Sequence, residues 1–315
     1  MALLAVPGVV VATAVTGFLV HWRLGLPLLI ALIFAAIISA TDPISVLALF
    51  KDLRVNKRLS LLIEGESLLN DGTAVVLFQV LLAAYLSGNP GVLQGLARFL
   101  LAVAGGAALG FGLGYLVSKI TENIDDPNVE ITLTTIVAYG SYLLAHHLHL
   151  SGIIATGSAG LMVGNFGAKH GMSEKTRTAL ESFWEYVAFV MNSVIFLLIG
   201  LEVRLDALAH AWIPVLAAIG AVLIGRVLSV YPLIGIGNLF AERIPGRWQH
   251  VIVWGGLRGS LALALVLSLN HDFPYREQIL DLTFGVVVFA ILVQGLTIKP
   301  LMHWLGIERE EEPVA

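Results

Sequence analysis

The chain has 315 residues, of which 57% are hydrophobic and 13% charged, and its net charge is −4. Soluble domains carry about a quarter charged residues, so this composition excludes an ordinary soluble protein and favours one that crosses a membrane several times. The absence of cysteine excludes a disulfide framework and thiol chemistry. The first apolar run, residues 2–20, has no basic residue before it and no convincing cleavage site, so we interpret it as a true span rather than a signal peptide.

The spacing of apolar runs predicts about ten transmembrane helices, because roughly 20 apolar residues cross the hydrocarbon core. In chain order they lie near residues 3–20, 27–50, 59–86, 93–118, 129–148, 152–168, 177–201, 209–238, 248–270 and 277–304. Twelve basic residues fall in alternate loops or the C-terminal tail, and three fall in the opposite loops. By the positive-inside rule, this distribution predicts that both ends of the chain are cytoplasmic.

Five ionisable residues lie well inside these predicted helices: Asp42, Glu66, Asp71, Arg226 and Arg258. Each charge at the bilayer centre costs about 2.5–3.5 kcal/mol on insertion scales. The five are therefore expected to face one another or water. Structural ion pairs are one interpretation, in particular for Glu66 with an arginine, but three acids and two bases cannot all pair.

A polar motif in the third predicted helix runs from residue 64 to residue 72. In it, Glu66 stands four residues before Asn70, and Ser67 stands four residues before Asp71. Residues four apart share a helical face, so these two pairs form adjoining polar faces. Their carboxylate, amide and hydroxyl oxygens are hard ligands, which suit Na⁺ and protons better than softer metals.

Two helices are predicted to be interrupted within the membrane. In Thr41-Asp42-Pro43 the proline removes a backbone donor and should break or kink the second helix. A second break is predicted at residues 255–259, which contain Arg258 between glycines. Interrupted helices in both halves of a chain are typical of transporters with inverted repeats and a site near the membrane midplane. Asp42 would offset the positive N-termini of the half-helices, and Arg258 their negative C-termini.

These motifs resemble those of the cation:proton antiporter family that includes the bacterial NhaP proteins and the animal sodium/proton exchangers. The resemblance rests on four segments, at residues 41–43, 65–71, 225–226 and 256–259. The adjacent Asn70-Asp71 pair is similar to the signature of the family's electroneutral branch. The resemblance implies an all-α integral membrane fold of inverted repeats with two interrupted, crossing helices. It also implies that the three N-terminal helices of the family are absent from this chain.

The resemblance further implies an ion site. Asp71 would bind the cation or the proton, and Ser67 and Thr41 would be further ligands of the monovalent cation. Asn70 would position the broken helix. No cofactor is expected, because the cation is a substrate.

The remaining charged positions receive structural roles from the same resemblance. Glu66 would pair with Arg226, while Asp42 and Arg258 would compensate the ends of the broken helices. The predicted partners are the lipid bilayer of the cell (plasma or inner) membrane, Na⁺ and H⁺, and a second copy of the chain in the full-length form. No nucleic-acid partner is expected.

The predicted organisation has four parts. Transport-core helices occupy residues 1–86 and 208–305, linker and dimer-interface helices occupy 92–205, and residues 306–315 form an acidic cytoplasmic tail. The predicted function is exchange of a monovalent cation, Na⁺ first, for H⁺ by alternating access. The alternatives are a non-functional or structural fragment of such an antiporter and a cation channel. An intramembrane hydrolase is disfavoured, because no nucleophile–base or metal-ligand set lies at membrane depth.

Overall fold

The structure is a computed structural model, and it describes residues 3–53, 55–88, 92–122, 124–167, 172–202, 211–240 and 242–307. Every regular element among these residues is helical. The chain divides into two compact units. The first unit comprises Met1–Tyr85 and Ile199–Ala315, and the second comprises Leu86–Leu198.

The first unit begins with a π-helical turn, Leu4–Gly8, that continues into the first α-helix. Four helices follow one another in this part of the chain: α1 (Val9–Leu24), α2 (Leu28–Ser39), α3 (Ile44–Leu53) and α4 (Lys57–Ser87). Between α2 and α3, residues 40–43 are not helical. Pro43 lies at this position, where its missing N–H and its ring disfavour a continuous helix.

The rest of the first unit comes from the C-terminal part of the chain. Its helices are α9 (Trp212–Phe240), α10 (Gly246–Trp254), α11 (Ser260–Leu267), α12 (Arg276–Phe289) and α13 (Gly295–Trp304). Residues 255–259 between α10 and α11 are not helical. A π-helical segment, Ala290–Gln294, joins α12 to α13.

A hydrophobic cluster ties the two parts of this unit together. Val46 and Phe50 of α3 and Leu59 of α4 pack with Val251 of α10 and Met302 of α13, all of them buried. The helix that follows the first non-helical segment, α3, and the helix that precedes the second, α10, therefore share one core. That core anchors one end of each segment.

The second unit is a bundle of helices rich in small residues. Its members are α5 (Val92–Thr121), α6 (Pro127–His147), α7 (Gly152–Met162) with a π-helical end at Val163–Gly167, and α8 (Glu174–Glu202), whose last residues lie beyond the unit boundary. A side chain at Gly110 of α5 would collide with the backbone of Ala155 in α7. Such close approach through small residues is the usual way in which membrane helices pack.

Six of the described helical stretches are long and apolar enough to cross a membrane on their own: Leu4–Leu24, Lys57–Ser87, Ala97–Thr121, Glu174–Leu198, Trp212–Phe240 and Arg276–Trp304. The sequence predicted about ten, and the difference has a physical origin. The predicted spans 27–50 and 248–270 are each divided into two short helices, and α7 has only 11 residues. The fourth predicted span that is missing from the six, 129–148, forms α6, which is long enough but carries Glu130, His146 and His147 and is less apolar. The predicted acidic tail, residues 306–315, lies outside the described residues from residue 308 onward.

Candidate ion site

The non-helical segments of the first unit hydrogen-bond to each other. The backbone N–H of Asp42, between α2 and α3, donates to the carbonyl of Leu257, between α10 and α11, at 2.8 Å. From the second segment, Nη1 of Arg258 donates to the carbonyls of Ser39 at 2.7 Å and Ala40 at 3.2 Å. Arg258 is buried. Its guanidinium therefore lies at the C-terminal end of α2, where unpaired carbonyls and the helix dipole favour a cation.

The carboxyl group of Asp42 lies at the beginning of α11. A Cβ added to Gly259, the residue that precedes α11, would overlap the Asp42 side chain. The first N–H groups of a helix lack intrahelical partners, so an acid at this position is electrostatically favourable. Each of the two segments thus places a charge at a helix end of the other.

Glu66 of α4 and Arg226 of α9 form a buried, bidentate ion pair. Arg226 Nη1 lies 2.7 Å from Glu66 Oε1, and Nη2 lies 3.0 Å from Oε2. The same Nη2 donates to the carbonyl of Ile252 near the end of α10, at 3.1 Å. Gly256 leaves room for the guanidinium, because an added Cβ would lie 2.8 Å from Arg226 Nε. Both carboxylate oxygens of Glu66 are therefore occupied by hydrogen bonds from Arg226.

Thr41, in the break between α2 and α3, contacts Ser67 and Asp71 of α4, and Asn70 lies beside them on the same helix. Ser67 of α4 donates its hydroxyl hydrogen to the carbonyl of Thr41, and the backbone of Thr41 also hydrogen-bonds to Asp71. Asn70 donates to Glu66 Oε1 at 3.4 Å. Among the described residues, three buried oxygens of this group have no hydrogen-bond partner: Thr41 Oγ1, Asn70 Oδ1 and Asp71 Oδ1.

Unpartnered buried oxygens are costly unless something satisfies them, and a cation or a proton can do so. Carboxylate, amide and hydroxyl oxygens are the ligands that hard monovalent cations accept. Of these three oxygens, only Asp71 Oδ1 belongs to a group that can carry a formal charge. The arrangement can therefore hold either a small cation or a proton at that carboxyl group.

Comparison with known proteins decides the family. The family model described as "Sodium/hydrogen exchanger, transmembrane" matches residues 1–304, nearly the whole chain. This chain belongs to the sodium/hydrogen exchanger family.

Several curated members of the exchanger family are similar to it. The Na(+)/H(+) antiporter NhaH of Halobacillus aidingensis is 45% identical over 308 residues, which cover 96% of this chain and 75% of that protein. The Na(+)/H(+) antiporter NhaP of Pseudomonas aeruginosa is 41% identical, with 96% and 73% covered. Human sodium/hydrogen exchanger 5 is 34% identical over 93% of this chain and 34% of its own length.

The fold is also similar to that of a solved exchanger. The sodium proton antiporter MjNhaP1 from Methanocaldococcus jannaschii, at pH 8, superposes with a TM-score of 0.76. The match covers 96% of this chain and 78% of that one, at 22% sequence identity. At that identity the likeness shows a shared fold.

One contact of this exchanger-family site was not predicted from the sequence. Gln294, in the π-helical segment before α13, donates to the carbonyl of Trp254 at the last residue of α10, at 3.1 Å. The indole N–H of Trp254 donates in turn to Thr297 Oγ1 at 2.9 Å. A π-helical turn changes the direction of the side chains that follow it. No sequence motif predicted such a turn at residues 290–294, so the position of Gln294 could not be predicted. Two carbonyls near the C-terminal end of α10 thus accept side-chain hydrogen bonds, that of Ile252 from Arg226 and that of Trp254 from Gln294.

Proposed function

We propose that this protein exchanges Na⁺ for H⁺ across a lipid bilayer, and that the cation and the proton compete for Asp71. Membership of the sodium/hydrogen exchanger family supports the proposal, as do relatives that are themselves named Na(+)/H(+) antiporters. The substrate ions bind in turn at one carboxyl group. Thr41 and Ser67 act as further cation ligands, and Asn70 positions the helix that carries Asp71.

The observation that carries the proposal is the contrast between two acids of α4. Glu66 is bound at both oxygens by Arg226, whereas Asp71 keeps a buried oxygen without a partner among the described residues. Of three acids and two arginines in this group, one carboxylate remains uncompensated. One proton or one Na⁺ neutralises it, and only a neutralised site crosses the membrane at low electrostatic cost. Exchange is then one for one.

The division of the chain into two compact units supports alternating access as the transport mechanism. We propose that the parts 1–86 and 208–305 form the moving transport core and that 92–205 forms the scaffold and dimer interface. In this proposal the chain crosses the cell membrane ten times with both ends in the cytoplasm. The two interrupted helices cross at the site as members of inverted repeats. Asp42 and Arg258 compensate the ends of the broken helices.

The direct test is Na⁺-driven proton movement in proteoliposomes that contain a pH-sensitive dye. Addition of NaCl outside should raise the internal pH with the wild-type protein, and Asp71→Asn should abolish this response. Glu64→Gln is the matched control, because Glu64 is an exposed acid on the same helix. Persistent Na⁺-driven proton movement in Asp71→Asn would overturn the proposal.

A potential-dependence measurement separates the exchanger from a cation channel. One-for-one exchange moves no net charge, so an imposed membrane potential should leave the initial rate of Na⁺ uptake unchanged. A channel would give a Na⁺ current that follows the potential. Uptake that scales with the potential, without counter-movement of protons, would replace the exchange assignment with a channel.

A further inference from the structure

A second buried acid lies in the second unit, outside the site described above. Glu130, in the first turn of α6, has a side chain with 0% exposure. Neither Oε1 nor Oε2 has a hydrogen-bond partner among the described residues. An ionised carboxylate buried in this way loses its hydration without compensation, which strongly favours the neutral, protonated group.

Two hydrogen bonds to α8 lie on either side of Glu130 along the chain. Just before α6 begins, Asp125 Oδ1 accepts a hydrogen bond from Thr176 Oγ1 of α8 at 3.2 Å. One helical turn after Glu130, Thr134 Oγ1 accepts one from Trp184 Nε1 of α8, also at 3.2 Å. Residues four apart share a helical face, so Glu130 lies on the same face of α6 as the Thr134–Trp184 hydrogen bond.

The hydroxyl donors of this contact are already used. Thr176 donates to Asp125, and Thr134 donates to the carbonyl of Ile131 at 2.9 Å. The two buried hydroxyls at the end of α5 donate to carbonyls of their own helix, Ser118 to Gly114 and Thr121 to Ser118. A carboxylate at position 130 therefore finds no free hydroxyl hydrogen among these groups.

Within the part of the chain that the structure describes, the charged neighbours offer no compensation either. On α5, Lys119 binds Glu122 at 2.8 Å, and on α8, Arg177 binds Glu181 at 3.0 Å. Glu174 and Lys175 of α8 are exposed, and α7 carries no titratable side chain. Among the described residues, Asp125, another acid, acts on Glu130 and repels an ionised carboxylate there instead of compensating it.

We propose that Glu130 is a proton-binding site, distinct from Asp71, whose protonation keeps α6 packed against α8 and whose ionisation loosens that contact. The ligand is a single proton. Ionisation would force the carboxylate to seek water, and the segment that must open is the one between the Asp125–Thr176 and Thr134–Trp184 hydrogen bonds. The proposal does not depend on the exchange activity.

Infrared difference spectroscopy of the purified protein tests the protonation directly. At neutral pH, wild type minus Glu130→Gln should show the carbonyl band of a protonated carboxyl group, and that band should disappear as the pH is raised. Glu174→Gln, which removes an exposed acid from the same unit, should leave the band in place. A carboxylate band in its stead at neutral pH would overturn the proposal.

Hydrogen exchange tests the structural consequence. After correction for the intrinsic rate, amides of α6 and α8 in wild type should lose protection as pH rises, while Glu130→Gln should keep it. Glu130→Leu provides a second neutral side chain and should behave like Glu130→Gln. An equal pH dependence in wild type and both variants would contradict the proposal. So would failure of both neutral variants to fold, because it would mean that the fold needs the carboxylate.

Discussion

The carboxyl group of Asp42 lies against Gly259, in the space that any side chain at that position would occupy. This contact joins the break after α2 to the beginning of α11. The contact requires glycine at position 259, because a Cβ there would overlap Asp42. Substitution by alanine, which adds a single methyl group, tests this requirement.

Gly259→Ala should strongly reduce Na⁺-driven proton movement, because its methyl group must displace Asp42 from the end of α11. Gly220→Ala on α9 is the matched control, since an added Cβ there meets nothing within 4 Å. The comparison uses initial rates in proteoliposomes at equal protein content. Wild-type rates in Gly259→Ala would mean that the Asp42 position does not matter to exchange.

Removing one partner of the Glu66–Arg226 pair should destabilise the protein by about 3–5 kcal/mol, because an uncompensated charge stays buried. The double variant Glu66→Leu/Arg226→Leu should lose less stability than either single variant, since no charge remains. The measurement is thermal or denaturant unfolding of all four proteins in the same detergent. Additive losses would show that the two side chains are not coupled.

Arg258→Gln should lower the exchange rate more than Arg258→Lys does. Either change weakens the hydrogen bonds to the carbonyls of Ser39 and Ala40, and an orphaned buried carbonyl costs about 1–3 kcal/mol. Only lysine, however, keeps the positive charge at the C-terminal end of α2. If both variants transport equally well, the charge of Arg258 has no electrostatic role at this helix end.

Gln294→Leu should slow exchange and destabilise the protein by about 1–3 kcal/mol, because it leaves the Trp254 carbonyl without its donor. Gln79→Leu serves as the control, since Gln79 is exposed on α4. Thr297 would still bind the Trp254 indole in the variant, so the loss isolates the carbonyl contact. Unchanged rate and stability in Gln294→Leu would remove Gln294 from the site.

Competition at Asp71 predicts how the apparent KM for Na⁺ depends on pH. Where the carboxyl group is mostly protonated, each unit fall in pH should raise the apparent KM about tenfold, while the maximal rate at saturating Na⁺ stays constant. Initial rates over a grid of pH and Na⁺ concentration measure this. A maximal rate that falls with acidity at saturating Na⁺ would show that the proton acts elsewhere.

The positions of the buried charges were within reach of the sequence, because charges inside apolar helices are rare. The costs of burying Glu66, Asp71 and Arg226 are large enough for their positions alone to demand partners. Helical spacing also placed Glu66 beside Asn70, which matches the hydrogen bond between them. What spacing does not decide is which acid keeps a free oxygen. That depends on which of them Arg226 reaches from another helix.

Other contacts could not have been predicted from the sequence. The carbonyls of Ile252 and Trp254 are acceptors only because α10 ends where it does, and backbone atoms leave no residue signature. Glu130 stands near the start of a predicted span, where an acid ordinarily reaches water. Its burial arises from tertiary packing between helices, which local patterns do not encode.

Asp42 and Arg258 make contacts between the two breaks, so residues 40–43 and residues 255–259 are mechanically coupled. A displacement of one stretch strains the hydrogen bonds that it makes with the other, so neither stretch can change its conformation alone. A change that loosens residues 40–43 is therefore best repaired within residues 255–259, and suppressor mutations selected in one stretch should be found in the other.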